Sequence, residues 1–250
     1  RGVSRIKNKY GKEIKQDFIF RSESLDTASH GDIKVLKKAE IKTIIDFRMP
    51  SEIKNPDYQN ILNCQYINTP PYAPSAALAS SEGKSLDKFE KIFEKYSDKP
   101  HLILEDQMRS LVNKTEAIEV YRNFIRLLAD KNNYPIIFHC RGGKDRAGYA
   151  AALLLLLLDV ELEVIFDDYL LTNFVNTDRN EVKIKKYKEM YSNSHTYEIR
   201  KELIFAKREY LQASFDEMIK LSGSINNYLS DYLKVTEQTK QKIQDILLIK

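Results

Sequence analysis

Residues 136–158, IIFHCRGGKDRAGYAAALLLLLL, constrain the fold more than any other part of the chain. The opening apolar run, rich in isoleucine and phenylalanine, reads as a buried strand that ends at His139–Cys140. Five residues, RGGKD, then make a loop with two glycines, and Arg146 opens a second apolar run. That run, Tyr149–Leu158, is too short to span a bilayer and reads as a buried helix. A strand, a tight charged loop and an apolar helix in succession call for helices packed on a sheet.

The remaining sequence fits the same plan. Three further runs, DFIFRS (17–22), IKTIIDFR (41–48) and QYINTP (65–70), are short and bounded by charges or turn formers, as strands are. Between the first two, DIKVLKKAE suits a short helix with Asp32 near its start. Strand, helix, strand implies a βαβ unit and hence parallel pairing. Residues 71–84 read as a surface loop. Leu86, Phe89, Ile92, Phe93 and Tyr96 recur at helical spacing, and a second helix is expected over 113–130. Helical periodicity continues through 160–175, a basic stretch at 177–210, and a segment that Gly223 should stop. The expected fold is α/β: a central, mostly parallel sheet of about four to five strands flanked by helices, with a helical C-terminal half, as one domain over 1–250.

Composition excludes several functions. A net charge of +4 is too mild to argue for nucleic acid. The two cysteines, Cys64 and Cys140, make neither a disulfide framework nor a metal site, and Cys64 reads as a small buried hydrophobe. No metal or other cofactor is expected. The chain begins at Arg1 rather than Met, which reads as trimming and leaves cytoplasmic and secreted locations both open.

The loop carries the chemistry. Its glycines, Gly142 and Gly143, let the backbone curl so that N–H groups point inward at a helix N-terminus, a cradle for an anion. Arg146 adds a planar fork that suits phosphate oxygens. Cys140 lies at the floor of that cradle, where the same groups would stabilise a thiolate. A nucleotide-binding Walker loop is excluded, because its first glycine and the hydroxyl residue after lysine are missing.

Cys-x5-Arg between a strand and a helix resembles the signature of the cysteine-dependent protein tyrosine phosphatases. More narrowly, HCRGGKDRAG is similar to the HC-x-x-GKDR-x-G form of atypical bacterial tyrosine and phosphoinositide phosphatases. FIFRSESL (18–25), IIDFRMPSE (44–52), FDDYLLTN (166–173) and SGSINNYLSDYL (222–233) resemble further motifs of that family, in its order. The resemblance implies a phosphocysteine intermediate on Cys140, with Arg146 and the loop amides holding the phosphate and no metal. It favours Asp145 as the acid that protonates the leaving oxygen, although Asp46 at its strand end is a second candidate. Arg141, Gly142, Gly143, Lys144, Asp46 and Arg48 are the expected substrate contacts. His139 is expected to support the loop through hydrogen bonds. Lys144 either meets a second substrate phosphate or pairs with Asp145 or Asp46. Family members resembling this chain are often dual, accepting phosphotyrosine and phosphoinositides; the resemblance puts protein phosphotyrosine first, with phosphoinositides or inositol phosphates, or a phosphate-binding module whose catalysis has weakened, as the alternatives. The segment 177–210 falls where they carry a helical lid, which could also touch an anionic membrane surface. One departure stands out: the family places a hydroxyl residue after the arginine, and this chain has Ala147.

Overall fold

The computed structural model describes residues 1–54, 62–71, 94–191 and 195–249. Among them, β1 (Ile19–Ser22), β2 (Thr43–Asp46), β3 (Gln65–Asn68) and β4 (Ile136–His139) form one sheet in the order β1-β4-β2-β3. Every pairing is parallel. Strand residues alternate between the two faces, as the pleat requires. Ile136 and Phe138 enter the main core, whereas Ile137 joins Leu25, Ile41 and Ile44 in a smaller cluster on the opposite face.

That smaller cluster is covered by α1 (His30–Lys38), a helix started by a Ser29–Asp32 capping box. The main face packs against α2 (Leu102–Asn113), α3 (Thr115–Leu128), α4 (Asp145–Leu157) and α5 (Leu162–Val175). Behind them come α6 (Thr177–Tyr191), α7 (His195–Glu202), α8 (Arg208–Ser222), α9 (Ile225–Asp231) and α10 (Glu237–Leu247). From Arg146 to Leu155 every residue of α4 is buried. A helix apolar all round must be enclosed on all sides, and each buried leucine contributes about 1.5–3 kcal/mol. No described helix is long and apolar enough to cross a membrane.

Two expectations change. The helix expected over 113–130 is α3 alone, and a separate helix, α2, precedes it, divided from it by extended backbone at Lys114. The helical run over 86–93 and nearly all of the loop over 71–84 lie outside the described residues.

Register explains where a site can form. Ser22 and Asp46 both lie opposite His139, and Asn68 lies opposite Asp46. The strands therefore end level, and the segments leaving them converge on one rim, the place where open α/β sheets bind ligands. At the centre of that rim lies the segment after β4, Cys140–Lys144.

Candidate active site

Cys140 is buried and leads into the loop, and α4 begins at Asp145. Gly143 adopts a left-handed φ of 63°, and a β-carbon there would stand 2.6 Å from the Ser22 carbonyl oxygen. No other residue type fits so closely against β1. The turn leaves a row of donors unused. Among the described residues, the backbone N–H groups of Gly142 through Arg146 donate to no backbone acceptor. Consecutive orphan donors at a helix start make a site for an oxyanion.

Arg21 holds this turn from beneath. Its fully buried guanidinium donates to the carbonyls of Gly143 (2.8 Å) and Lys144 (3.4 Å). It also donates to Asp168 (2.9 Å) and Thr172 (2.7 Å) on α5. Burial pushes its pKa down, and Asp168 opposes that push. Gly148 lets α5 close in: a β-carbon there would lie 2.8 Å from the Tyr169 ring.

Arg146 is buried and fixed at one end. Nη1 donates to the Phe47 carbonyl (2.9 Å) and to Glu52 (2.6 Å), and Nη2 donates to the other Glu52 oxygen (2.9 Å). Burial opposes the charge, but the Glu52 carboxylate outweighs it and raises the guanidinium above its ordinary value. Because Glu52 takes the Nη1–Nη2 end, the Nε–Nη2 edge is left as the second fork of the planar group. Glu52 itself is buried and is also held by the Met49 N–H (2.8 Å).

These groups share a cavity of about 60 Å³, lined by Cys140, Arg141, Gly142, Lys144, Asp145, Arg146 and Glu52 on the loop side. Opposite stand Leu104 and Gln107 from α2, Arg179, Asn180 and Lys183 from α6, and Leu203 and Ile204 after α7. At roughly 15 Å³ per water it has room for about four water-sized atoms, the scale of a phosphoryl group. Asp145 lies 3.7 Å from the Lys144 ammonium and accepts a long 3.4 Å contact from the Tyr169 hydroxyl. Lys144 donates to the carbonyls of Leu203 (2.8 Å) and Phe205 (2.9 Å), tying the loop to the chain beyond α7. Its burial lowers its pKa, with Asp145 opposing and Arg179 reinforcing that shift. Asn176 reaches the Gly142 carbonyl (3.1 Å) from the start of α6, so the loop meets both ends of the α6–α7 segment.

Of the expected substrate contacts, Asp46, Arg48 and Gly143 do not line the cavity. Arg48 is 1% exposed and Asp46 is 0% exposed. Arg48 donates to both Asp46 oxygens, to Ser24 (2.7 Å) and to Asp26 (2.5 Å), while Tyr66 donates to Asp46 (2.7 Å). Burial pushes the Asp46 carboxyl up, yet the Arg48 hydrogen bond and neighbouring charges hold it below the ordinary aspartate value. The pair braces the segments leaving β1 and β2. His139 is fully buried between them and the loop, 3.3 Å from the Cys140 carbonyl and 3.6 Å from Asp46. Burial lowers its pKa despite Asp46, so the ring is neutral near pH 7.

Comparison with known sequences decides the family. A profile described as the tyrosine phosphatase family matches residues 1–249. The chain belongs to that family. A Cupriavidus necator protein provisionally named a tyrosine-protein phosphatase is 28% identical over 233 residues, covering 90% of this chain and 77% of the relative. The triple specificity protein phosphatase PtpB of Mycobacterium tuberculosis is 23% identical over 257 residues, covering 92% of this chain and 90% of that protein. As a member of the tyrosine phosphatase family the chain is a phosphatase enzyme. Three parts of this site were not singled out from the sequence: Glu52, the Arg21–Asp168–Thr172 support, and the cavity face of α2. The first two lie inside motifs quoted above and lacked only a stated role.

Proposed function

We propose that this phosphatase hydrolyses phosphomonoesters through a phosphocysteine on Cys140, with phosphotyrosine in proteins as its principal substrate. The observation that carries the reading is the convergence in one small cavity of Cys140, five consecutive orphan N–H groups and the Arg146–Glu52 pair. The Cys140 thiolate attacks phosphorus, the ester oxygen departs with a proton from Asp145, and the equatorial oxygens rest on the loop amides and the open edge of Arg146. Water then attacks phosphorus, the P–S bond breaks with its electron pair returning to sulfur, and Asp145 takes a proton back. The wall formed by Leu104, Leu203 and Ile204 suits an aromatic ring behind the phosphate.

A second substrate class has its own support. Arg179 and Lys183 bring two more cations to the cavity beside Arg141, and PtpB is named for triple specificity. Multiply phosphorylated inositol headgroups match that charge. The segment α6–α7 is the helical lid of this reading, and a panel of phosphopeptides and phosphoinositides tested on one preparation would rank the two classes.

Two results are expected of the mechanism. Asp145→Asn should lower turnover of phenyl phosphate by about 10²–10⁴-fold. It should lower turnover of p-nitrophenyl phosphate far less, because p-nitrophenolate leaves without help. Equal losses on both esters would remove Asp145 as the acid. The second concerns Ala147, the position after Arg146 where the resemblance places a hydroxyl that serves the leaving sulfur. Ala147→Ser should raise steady-state turnover by roughly threefold to tenfold, equivalent to one ordinary hydrogen bond of about 0.7–1.4 kcal/mol. Unchanged turnover, with no fall in acid-trapped phosphoenzyme, would show that sulfur departure does not limit the rate.

A further inference from the structure

Four exposed apolar side chains stand close together in sequence on α5 and α6. Leu171, Phe174 and Val175 share one face of α5, at i, i+3 and i+4, and Val182 lies in the second turn of α6. Their exposure runs from 42% at Leu171 to 79% at Phe174. The inward side of the same segment is occupied: Asp168 and Thr172 hold Arg21, Asn176 donates to the Gly142 carbonyl, and Asn180 lines the cavity. A single exposed leucine or valine is ordinary, but a group with a phenylalanine at its centre marks a contact surface. The charges beside it say what it meets. Between 161 and 181 every exposed charged residue is an aspartate or a glutamate. After Val182 come the exposed lysines 185, 186 and 188, with Glu189 as the one exposed carboxylate among them. An anionic membrane would draw the lysines and repel the acidic half, and a basic partner would do the reverse. A second copy turned end for end satisfies both halves at once.

We propose that this face pairs with the same face of a second copy of the chain, the helices running antiparallel about a two-fold axis near Asn176. In such an isologous contact every pairing occurs twice. With the axis there, Leu171 of one copy meets Val182 of the other, and Phe174 and Val175 occupy the centre. Asp167 meets Lys185; both are exposed, and neither has an ion-pair partner among the described residues. Four apolar side chains from each copy make a small centre, so association belongs to the micromolar range rather than the nanomolar. Asn180 and Lys183 turn to the cavity on another side of α6 from Val182, so each copy keeps a site of its own. The pairing does not depend on the chemistry of Cys140.

Sedimentation velocity of the full chain between about 1 and 200 µM tests this, with the 29.2 kDa monomer as reference. Wild type is expected to move toward twice that mass as concentration rises. Phe174→Glu should stay monomeric throughout, and because the side chain is exposed its circular dichroism spectrum should match wild type. Asp167→Lys should weaken association about tenfold, since two symmetric attractions become repulsions. Asp167→Lys combined with Lys185→Asp exchanges the charges and should return the affinity to within about threefold of wild type. A wild-type chain that remains a monomer across the range overturns the proposal. So does a dimer that Phe174→Glu leaves intact, or a loss from Asp167→Lys that the second reversal does not repair. Flotation with vesicles of phosphatidylserine and phosphatidylcholine covers the rival occupant: wild-type binding that Phe174→Glu abolishes would give the face to a membrane and overturn the pairing. Should Phe174→Glu fold poorly, the charge exchange decides alone.

Discussion

Cys140→Ser is expected to lower turnover of p-nitrophenyl phosphate by roughly 10⁵–10⁶-fold, the scale seen when a covalent nucleophile is removed. Serine differs by one atom, and the side chain is buried at the head of the loop, so neither the turn at Gly143 nor the Arg146–Glu52 pair should move. What changes is the group proposed as nucleophile. A hydroxyl remains protonated near neutral pH, and the His139 imidazole, the usual partner of a nucleophilic serine, is buried beneath the loop beside Asp46 and does not line the cavity. The amides of Gly142 through Arg146 are untouched, so inorganic phosphate should bind the variant about as tightly as wild type. Rates and phosphate calorimetry on the two proteins check both halves. A variant that kept more than about a hundredth of wild-type turnover would refute covalent catalysis by this residue. Loss of turnover together with loss of phosphate binding would mean that the cradle had collapsed instead.

The loop and its chemistry were legible because its elements are local: a strand, two glycines and an apolar helix follow one another within 23 residues. Parallel pairing was legible for a similar reason, since strands separated by helical segments have few other ways to join one sheet. Side-chain direction was not. Asp46 ends β2 level with His139, next to the loop, and a carboxylate at that height could have faced either way. Its direction follows from Arg48, two residues on, which curls back to it and to Asp26, a contact across 22 positions of sequence. Glu52 was hidden by the opposite circumstance: its partner Arg146 is 94 positions away, and nothing local marks a carboxylate as the anchor of a distant guanidinium. The helix α2 did carry a signal. Ile103, Leu104, Gln107, Met108 and Leu111 have helical spacing, but the helix expected over 113–130 covers α3 alone, and this run was left unassigned. With it went Leu104 and Gln107, which line the cavity from α2.

Arg21 carries the other large effect, and it separates stability from function. Replacing it with methionine leaves Asp168 buried with Arg1 as its remaining ion-pair partner, and strips the donors from the Gly143 and Lys144 carbonyls. Breaking a buried ion pair on one side costs about 3–5 kcal/mol, which for a chain of this size lowers Tm by roughly 6–20 °C. Turnover should fall with it, because the turn that aims the loop amides loses its support from β1. Removing the second charge as well distinguishes the two consequences. Arg21→Met combined with Asp168→Leu replaces the pair with apolar groups, and such replacements are often neutral or stabilising. The double variant should therefore regain most of its Tm while remaining poor in turnover, since neither new side chain can donate to a carbonyl. Thermal unfolding and steady-state rates on the two variants measure this. If turnover returns together with Tm, Arg21 is only a structural counter-ion, and the loop holds its shape without it. If Tm returns alone, the guanidinium shapes the anion cradle through Gly143 and Lys144, and the FRS motif is part of the catalytic apparatus although it never meets the substrate.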